Sequence, residues 1–424
     1  IQGDEETALL VALDLGWMRG REMAVLLERV AAGTGIASDR LVVTFSHTHS
    51  ACNLDIDRTG DPGGHLIQPY LDALPGKITE AYRAARASLQ PVELAYGVGR
   101  CDLGRNRDYW DEETKQYACG TNPGGPADET VMVVRVTDRA GHLLAHLVNY
   151  GCHPTTLAWQ NVLISPDYIG AMREVVEGAT GVPCVFLLGA CGDIGPKDGY
   201  VGDTAVADRN GRQLGYAALS AIESLTPPGT EMRYAGPVVS GATLGTWAHT
   251  PVEAERLPAV SRVRMARLHV DLPFKHLPTR ADLDARLTEW RAKEEAARRA
   301  GDEGGARDYR AHVERTRRAL RGIEHVIPGG NYQYPIHLWQ IGEGTAVLLS
   351  GEPYNVLQRT IRAHFPQTPL LVGVLCNQSE VGYLLPQEAY GKGIYQDSAG
   401  TLAPGCLERV IETITAQLEA WGCR

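Results

Sequence analysis

The 424-residue chain has no apolar run approaching the roughly 18 to 20 residues that a membrane-spanning helix needs. It has no excess of positive charge: 41 Lys and Arg face 51 Asp and Glu, a net charge of −10. Nucleic acid and anionic membrane surfaces are poor partners for such a chain. Its nine cysteines are an odd number, with no CxxC pair and no regular spacing. Cys152, Cys184 and Cys191 lie in apolar or glycine-rich surroundings, where a reduced thiol packs as a small hydrophobe. With no signal-like start, this leans towards a reducing, cytoplasmic compartment. The sequence opens at Ile1 rather than at an initiator methionine, so a segment can precede it.

What is present is the composition of a globular protein, 44% hydrophobic and 22% charged. Length alone allows one large or two ordinary domains. "TALLVALDLG" reads as a buried strand ending at Asp14, "REMAVLLERVAAGTG" as a helix closed by glycine, and "LVVTFSHTHS" as a second strand. The same alternation continues to a last helix, "LERVIETITAQLEAW". Two strands joined at Asp138 to Gly141, and another two within "IHLWQIGEGTAVLLSGEP", carry hairpin signals. The expectation is an α/β protein with a central twisted mixed sheet flanked by helices.

One segment differs in kind. From Pro278 to Glu324 charges dominate, and Leu283, Leu287, Trp290, Val313, Leu320 and Ile323 fall at helical spacing. Thr279 with Asp282 three residues on is a helix cap, and "GDEGGA" breaks the run. Residues 276–326 thus read as a helical hairpin inserted between 1–275 and 327–424, which form the main domain. Its charges read as a solvated face. It could also serve as a lid, or as a contact between two copies of the chain.

The chemistry concentrates where strands give out. "VTFSHTHSACN" sets His47 and His49 one residue apart, and strand alternation would send both imidazoles into one space. They could hold a metal, move a proton or merely decorate a strand. "NYGCHPTT" puts His153 at the end of another strand, where Pro154 blocks its continuation. "LLSGEPYN" puts Glu352 between a strand and a helix, and "VGYLLPQEAYGKGIYQ" carries Tyr383, Tyr390 and Tyr395 in a loop. Taken singly, such residues are turn partners, helix-start carboxylates and core covers.

As an ordered set they are recognisable, and the chain resembles the neutral ceramidases, zinc-dependent amidases. "SHTHS" is similar to that family's Thr-His-Thr-His-Ser, "GRNRD" to its Asn-Arg-Ser, "NYGCHPT" to its His-Pro-Thr and "SGEP" to its Pro-Gly-Glu. "YLLPQEAYGKGIY" resembles its Tyr-x-x-Thr-x-Glu-Glu-Tyr-x-x-x-x-Tyr. The likeness runs from about Asp14 to about Gly405. It implies one zinc held by His47, His153, Glu352 and Tyr390, with His49 as proton carrier beside the attacking water. Arg107 would face the substrate carbonyl, and Tyr390 could swing between the metal and a developing oxyanion. Asp14 and Asp193 would steady the imidazoles from behind. The substrate would be a small or lipid-like N-acyl compound.

The departures concern recognition. Gly195 in "GACGDIGPKDG" stands where ceramidases carry serine, "SACN" replaces Ser-Gly-Pro-Gly, and the sequence leaves no room for a C-terminal β-sandwich. They point away from ceramide itself. An esterase or lactonase on the same site, and a non-catalytic binding protein that keeps the fold, are the alternatives. HxH also opens amidohydrolase barrels and β-lactamase-like sites, but no eightfold βα repeat and no HxHxDH is present.

Overall fold

The structure is a computed structural model that describes residues 1–3 and 7–424. Its centre is two four-stranded mixed sheets. In the first, Val92–Arg100, Thr130–Asp138 and Leu143–Tyr150 run antiparallel in that order, and Cys184–Leu188 adds in parallel. In the second, Val263–Pro273, Asn331–Ile341 and Gly344–Leu349 are antiparallel neighbours, followed by Leu370–Gly373 in parallel. A parallel pair, Leu9–Leu13 and Leu41–Phe45, completes the core.

Side-chain alternation explains the layering. Val134, Leu187, Trp339, Leu348 and Leu371 form one buried cluster between the sheets. Their sequence neighbours Val133, Leu188, Leu338, Val347 and Leu370 point the other way, into a cluster shared with helices. Tyr168–Thr180 and Thr204–Glu223 cover the first sheet, while Cys406–Ala420 packs against the second. The expected α/β protein is therefore a layered sandwich, with two sheets face to face and helices outside.

Two buried asparagines stitch the sheets at their junction. Asn149 Nδ2 donates to Leu187 O at 2.9 Å and to Val372 O at 2.7 Å, and its Oδ1 accepts from Val372 N at 3.0 Å. Asn377 does the same for the parallel pair, accepting from Val43 N at 2.8 Å and donating to Leu41 O at 3.0 Å. A side-chain amide carries both a donor and an acceptor, so it satisfies strand edges that would otherwise be buried bare.

Helices Arg280–Arg299 and Glu303–Gly322 form an antiparallel hairpin, with Thr279 and Asp282 in a reciprocal capping box. The hairpin docks on the body through Arg58–Glu314 at 2.6 Å, Arg317–Asp61 at 3.0 Å and Arg321–Asp57. Such partly exposed pairs contribute about 0–1 kcal/mol each. Sequence patterning missed an exposed ribbon, Thr230–Ser240 paired with Ala242–Pro251, which buries neither face. None of the nine cysteines is disulfide-bonded. No helix among the described residues is long and apolar enough to cross a membrane.

Candidate functional site

Strand Leu41–Phe45 stops two residues before His47, so period-two alternation does not aim the histidines. His47 instead adopts φ +66, a left-handed conformation uncommon outside glycine, and its N–H donates to Leu15 O. This turn, not the strand, brings the His47 and His49 ring centroids to 4.8 Å. Local backbone strain of this kind clusters at functional sites. His153 comes from the loop after Leu143–Tyr150, with its ring centroid 4.8 Å from His47 and 6.0 Å from His49.

Glu352 enters from the opposite sheet. Glu352–Pro353 pairs in parallel with Tyr383–Leu384, so Glu352 and Tyr383 are direct register partners. The approach is close: a Cβ on Gly351 would lie 2.6 Å from Gly382 O, and both glycines have positive φ. Glu352 Oε2 lies 2.9 Å from His153 Nε2 and 3.3 Å from His47 Nε2.

The protons in this cluster are constrained. His47 Nδ1 faces Gly16 O at 2.8 Å, and His153 Nδ1 faces Cys191 O at 2.6 Å. A carbonyl can only accept, so each Nδ1 carries the hydrogen and each Nε2 is the nitrogen turned towards Glu352. His47 Nε2 is buried without a hydrogen-bond partner. Two imidazole nitrogens and a carboxylate oxygen therefore converge, an arrangement that a shared proton or a metal cation between them would satisfy. Burial opposes ionisation of Glu352, but His47 and His153 outweigh it and hold the carboxyl well below its usual range. Burial, and then the Arg107 charge, push His153 down to about 4. That favours the neutral imidazole, the form that can bind a metal. The nitrogen atoms of His47, His49 and His153 that could bind a metal lie within 4.8 Å of one another. This donor set fits zinc, which takes imidazole nitrogen and carboxylate oxygen.

His49 is the exposed member of the three, open to a cavity of about 830 Å³. Protein surrounds that opening, so desolvation still dominates. Together with the neighbouring His47 and His153 it pushes the His49 pKa well below the ordinary value. Arg107 is buried, doubly bonded to Gly192 O at 2.8 and 3.2 Å, and donates to the Tyr383 hydroxyl at 3.0 Å. That hydroxyl lies 3.5 Å from His153 Nε2.

Several expected roles fall elsewhere. Tyr390 does not reach the cluster; its hydroxyl donates to Leu402 O at 3.1 Å, and its ring lies near Lys275. Tyr383 stands there instead, because it is the residue paired with Glu352. Asp14 is at the surface in an ion pair with Arg173 at 2.5 and 2.8 Å, leaving His47 to the Gly16 carbonyl. Asp193 accepts from Asn355 N at 2.6 Å and Asn106 Nδ2 at 3.1 Å, and so braces the loops rather than His153. Burial raises its pKa to about 6. Tyr395 packs edge-on to Tyr383 at 5.9 Å. A Cβ on Gly195 would make only ordinary contacts with Arg107 and Thr155, so a serine there would fit.

The cavity has two sides. His47, His49, Glu352 and Tyr383 line one, and the inserted hairpin lines the other with Trp290, Arg315 and Arg318 among others. Trp17, which the sequence did not single out, also lines it, 6.1 Å from the His47 ring.

No family model and no curated protein matches the chain. Among solved structures, the neutral ceramidase from Pseudomonas aeruginosa superposes with a TM-score of 0.64 at 16% identity over 97% of this chain. A ceramidase complexed with C2 gives 0.61, also at 16% identity over 97%. The chain spans 66% and 68% of those two chains. It therefore has a neutral ceramidase-like fold.

Proposed function

We propose that the chain is a zinc-dependent hydrolase that cleaves an N-acyl amide. The observation that carries this is the convergence of His47 Nε2, His153 Nε2 and Glu352 Oε2 with both Nδ1 protons pinned behind them. Those three residues would hold the metal, with the Tyr383 hydroxyl, rather than that of Tyr390, as a fourth donor beside them. When bound, zinc supplies a Lewis acid that makes water nucleophilic near neutral pH. His49 is held neutral, so it can take a proton from the attacking water and pass it to the departing amine. Arg107 and Tyr383 present fixed donors towards charge developing on the carbonyl oxygen. Water adds to the carbonyl carbon, the C–N bond breaks, and the products are a carboxylate and an amine. The ceramidase-like fold supports the amide, since the solved neighbours are ceramidases.

The test is metal content and turnover on N-acyl amides, esters and lactones. Protein purified without chelators should carry about one zinc, and His153→Ala and Glu352→Ala should each lose it. Finding no transition metal in the parent protein would sink the assignment.

A further inference from the structure

The hairpin's charges are not one solvated face. Most of its arginines are matched: Arg298 with Glu294, Arg299 with Glu295, Arg310 and Arg317 with Glu314, and Arg321 with Asp57. Among the described residues, Arg286, Arg291, Arg315 and Arg318 have no carboxylate within ion-pair distance. Of these, Arg286, Arg315 and Arg318 line the cavity. Arg315 and Arg318 are three apart, hence on one helix face, and both are exposed.

Aromatic rings connect both to the histidine cluster. The Arg318 guanidinium lies 6.0 Å from the Trp17 ring, which is 6.1 Å from that of His47. Arg315 lies 5.7 Å from the Tyr395 ring, which packs on Tyr383. The cavity's other charges are largely spent. Lys275 is paired with Asp397, Arg19 with Asp55 and Glu289 with Lys293. Glu380 remains as a further carboxyl of the cavity, its pKa raised by burial against the opposing effects of a hydrogen bond from the Gly20 backbone and of the Arg19 charge. The roof therefore faces the site with unmatched positive charge, in a planar form suited to carboxylate, sulfonate or phosphate.

We infer that Arg315 and Arg318 bind an anionic group of the substrate, so that the amide cleaved is an N-acyl compound carrying an acid near the scissile bond, as N-acyl amino acids do. This rests on the hydrolase reading above and supplies its substrate class. A neutral head, as in ceramide, would leave two guanidinium groups facing it without a counter-charge.

The experiment compares N-lauroylglycine, N-lauroyltaurine and neutral N-lauroylethanolamine on the full chain loaded with zinc. Wild type should prefer the two acids in kcat/KM by about tenfold or more. Arg315→Gln with Arg318→Gln should erase that preference, raising KM for the acids by about 10- to 100-fold, the scale of a lost charge-assisted hydrogen bond. Preference for glycine or taurine tells carboxylate from sulfonate. Arg291→Gln, which removes an unmatched arginine outside the cavity, should leave the preference intact. Equal rates on acid and neutral amides, or an unaltered preference in the double variant, would overturn the inference. If nothing is hydrolysed, the hydrolase reading fails by itself. Calorimetric binding of the same three compounds to wild type and double variant then decides the anion site.

Discussion

The two walls of the cavity are built on opposite principles. The histidine wall is held by backbone: Gly16 O, Cys191 O and Gly192 O fix His47, His153 and Arg107, all buried. Carbonyls in a packed sandwich cannot reorient, so each Nδ1 keeps its hydrogen and each side chain one direction. The hairpin wall is held by side chain to side chain, through partly exposed ion pairs such as Arg58–Glu314. Each is weak and screened by salt. The proposed chemistry thus falls on the rigid wall, and the proposed selectivity on the wall held by weak pairs.

The comparison is broken most sharply within the rigid wall. His47→Ala should lose metal and activity together, whereas His49→Ala should keep the zinc and lose turnover by roughly 10² to 10⁴-fold. Elemental analysis beside rate decides this; loss of metal from the His49 variant would make it a ligand instead. Next, Tyr383→Phe should cost about 10²-fold in kcat, the scale of a lost oxyanion donor. Tyr390→Phe should run close to wild type. The reverse order would return the ligand role to Tyr390 and contradict the hydrogen bond to Leu402. Replacing residues 276–326 by a short Gly-Ser linker should leave a folded, zinc-binding protein that has lost discrimination between substrates. An insoluble or metal-free product would show that the hairpin belongs to the core. The smallest effect is expected for Arg317→Ala, less than about 1 kcal/mol of stability by denaturant melts, and shrinking with salt.

Much of the framework was legible because hydrophobic periodicity is local. The strand at Leu41–Phe45, the helix Gly20–Thr34 and the capped helix after Thr279 lie where their patterns place them. The ribbon at 230–251 was missed for the same reason: Val238, Val239, Leu244 and Trp247 are exposed, so no buried face marks it. His47, His49, His153 and Glu352 were singled out by type and by position near strand ends, and Arg107 only through the resemblance to the ceramidases; the structure brings them together. The tyrosine was not legible, since the choice among Tyr383, Tyr390 and Tyr395 depends on which one pairs with Glu352 across 31 residues of chain.

Sequence by itself determined the alternation of strands and helices, the two charged helices after Thr279 and the histidines and glutamate near strand ends, because each follows from short-range pattern or local chemistry. Tertiary structure decided the rest. It set the left-handed turn at His47, the carbonyls that choose each imidazole's tautomer, and the pairing that delivers Tyr383 in place of Tyr390. It also separated the arginines with carboxylate partners from Arg286, Arg315 and Arg318, which line the cavity without one among the described residues. Each of these depends on groups far apart in the chain, and their meeting is fixed only when the two sheets and the hairpin pack.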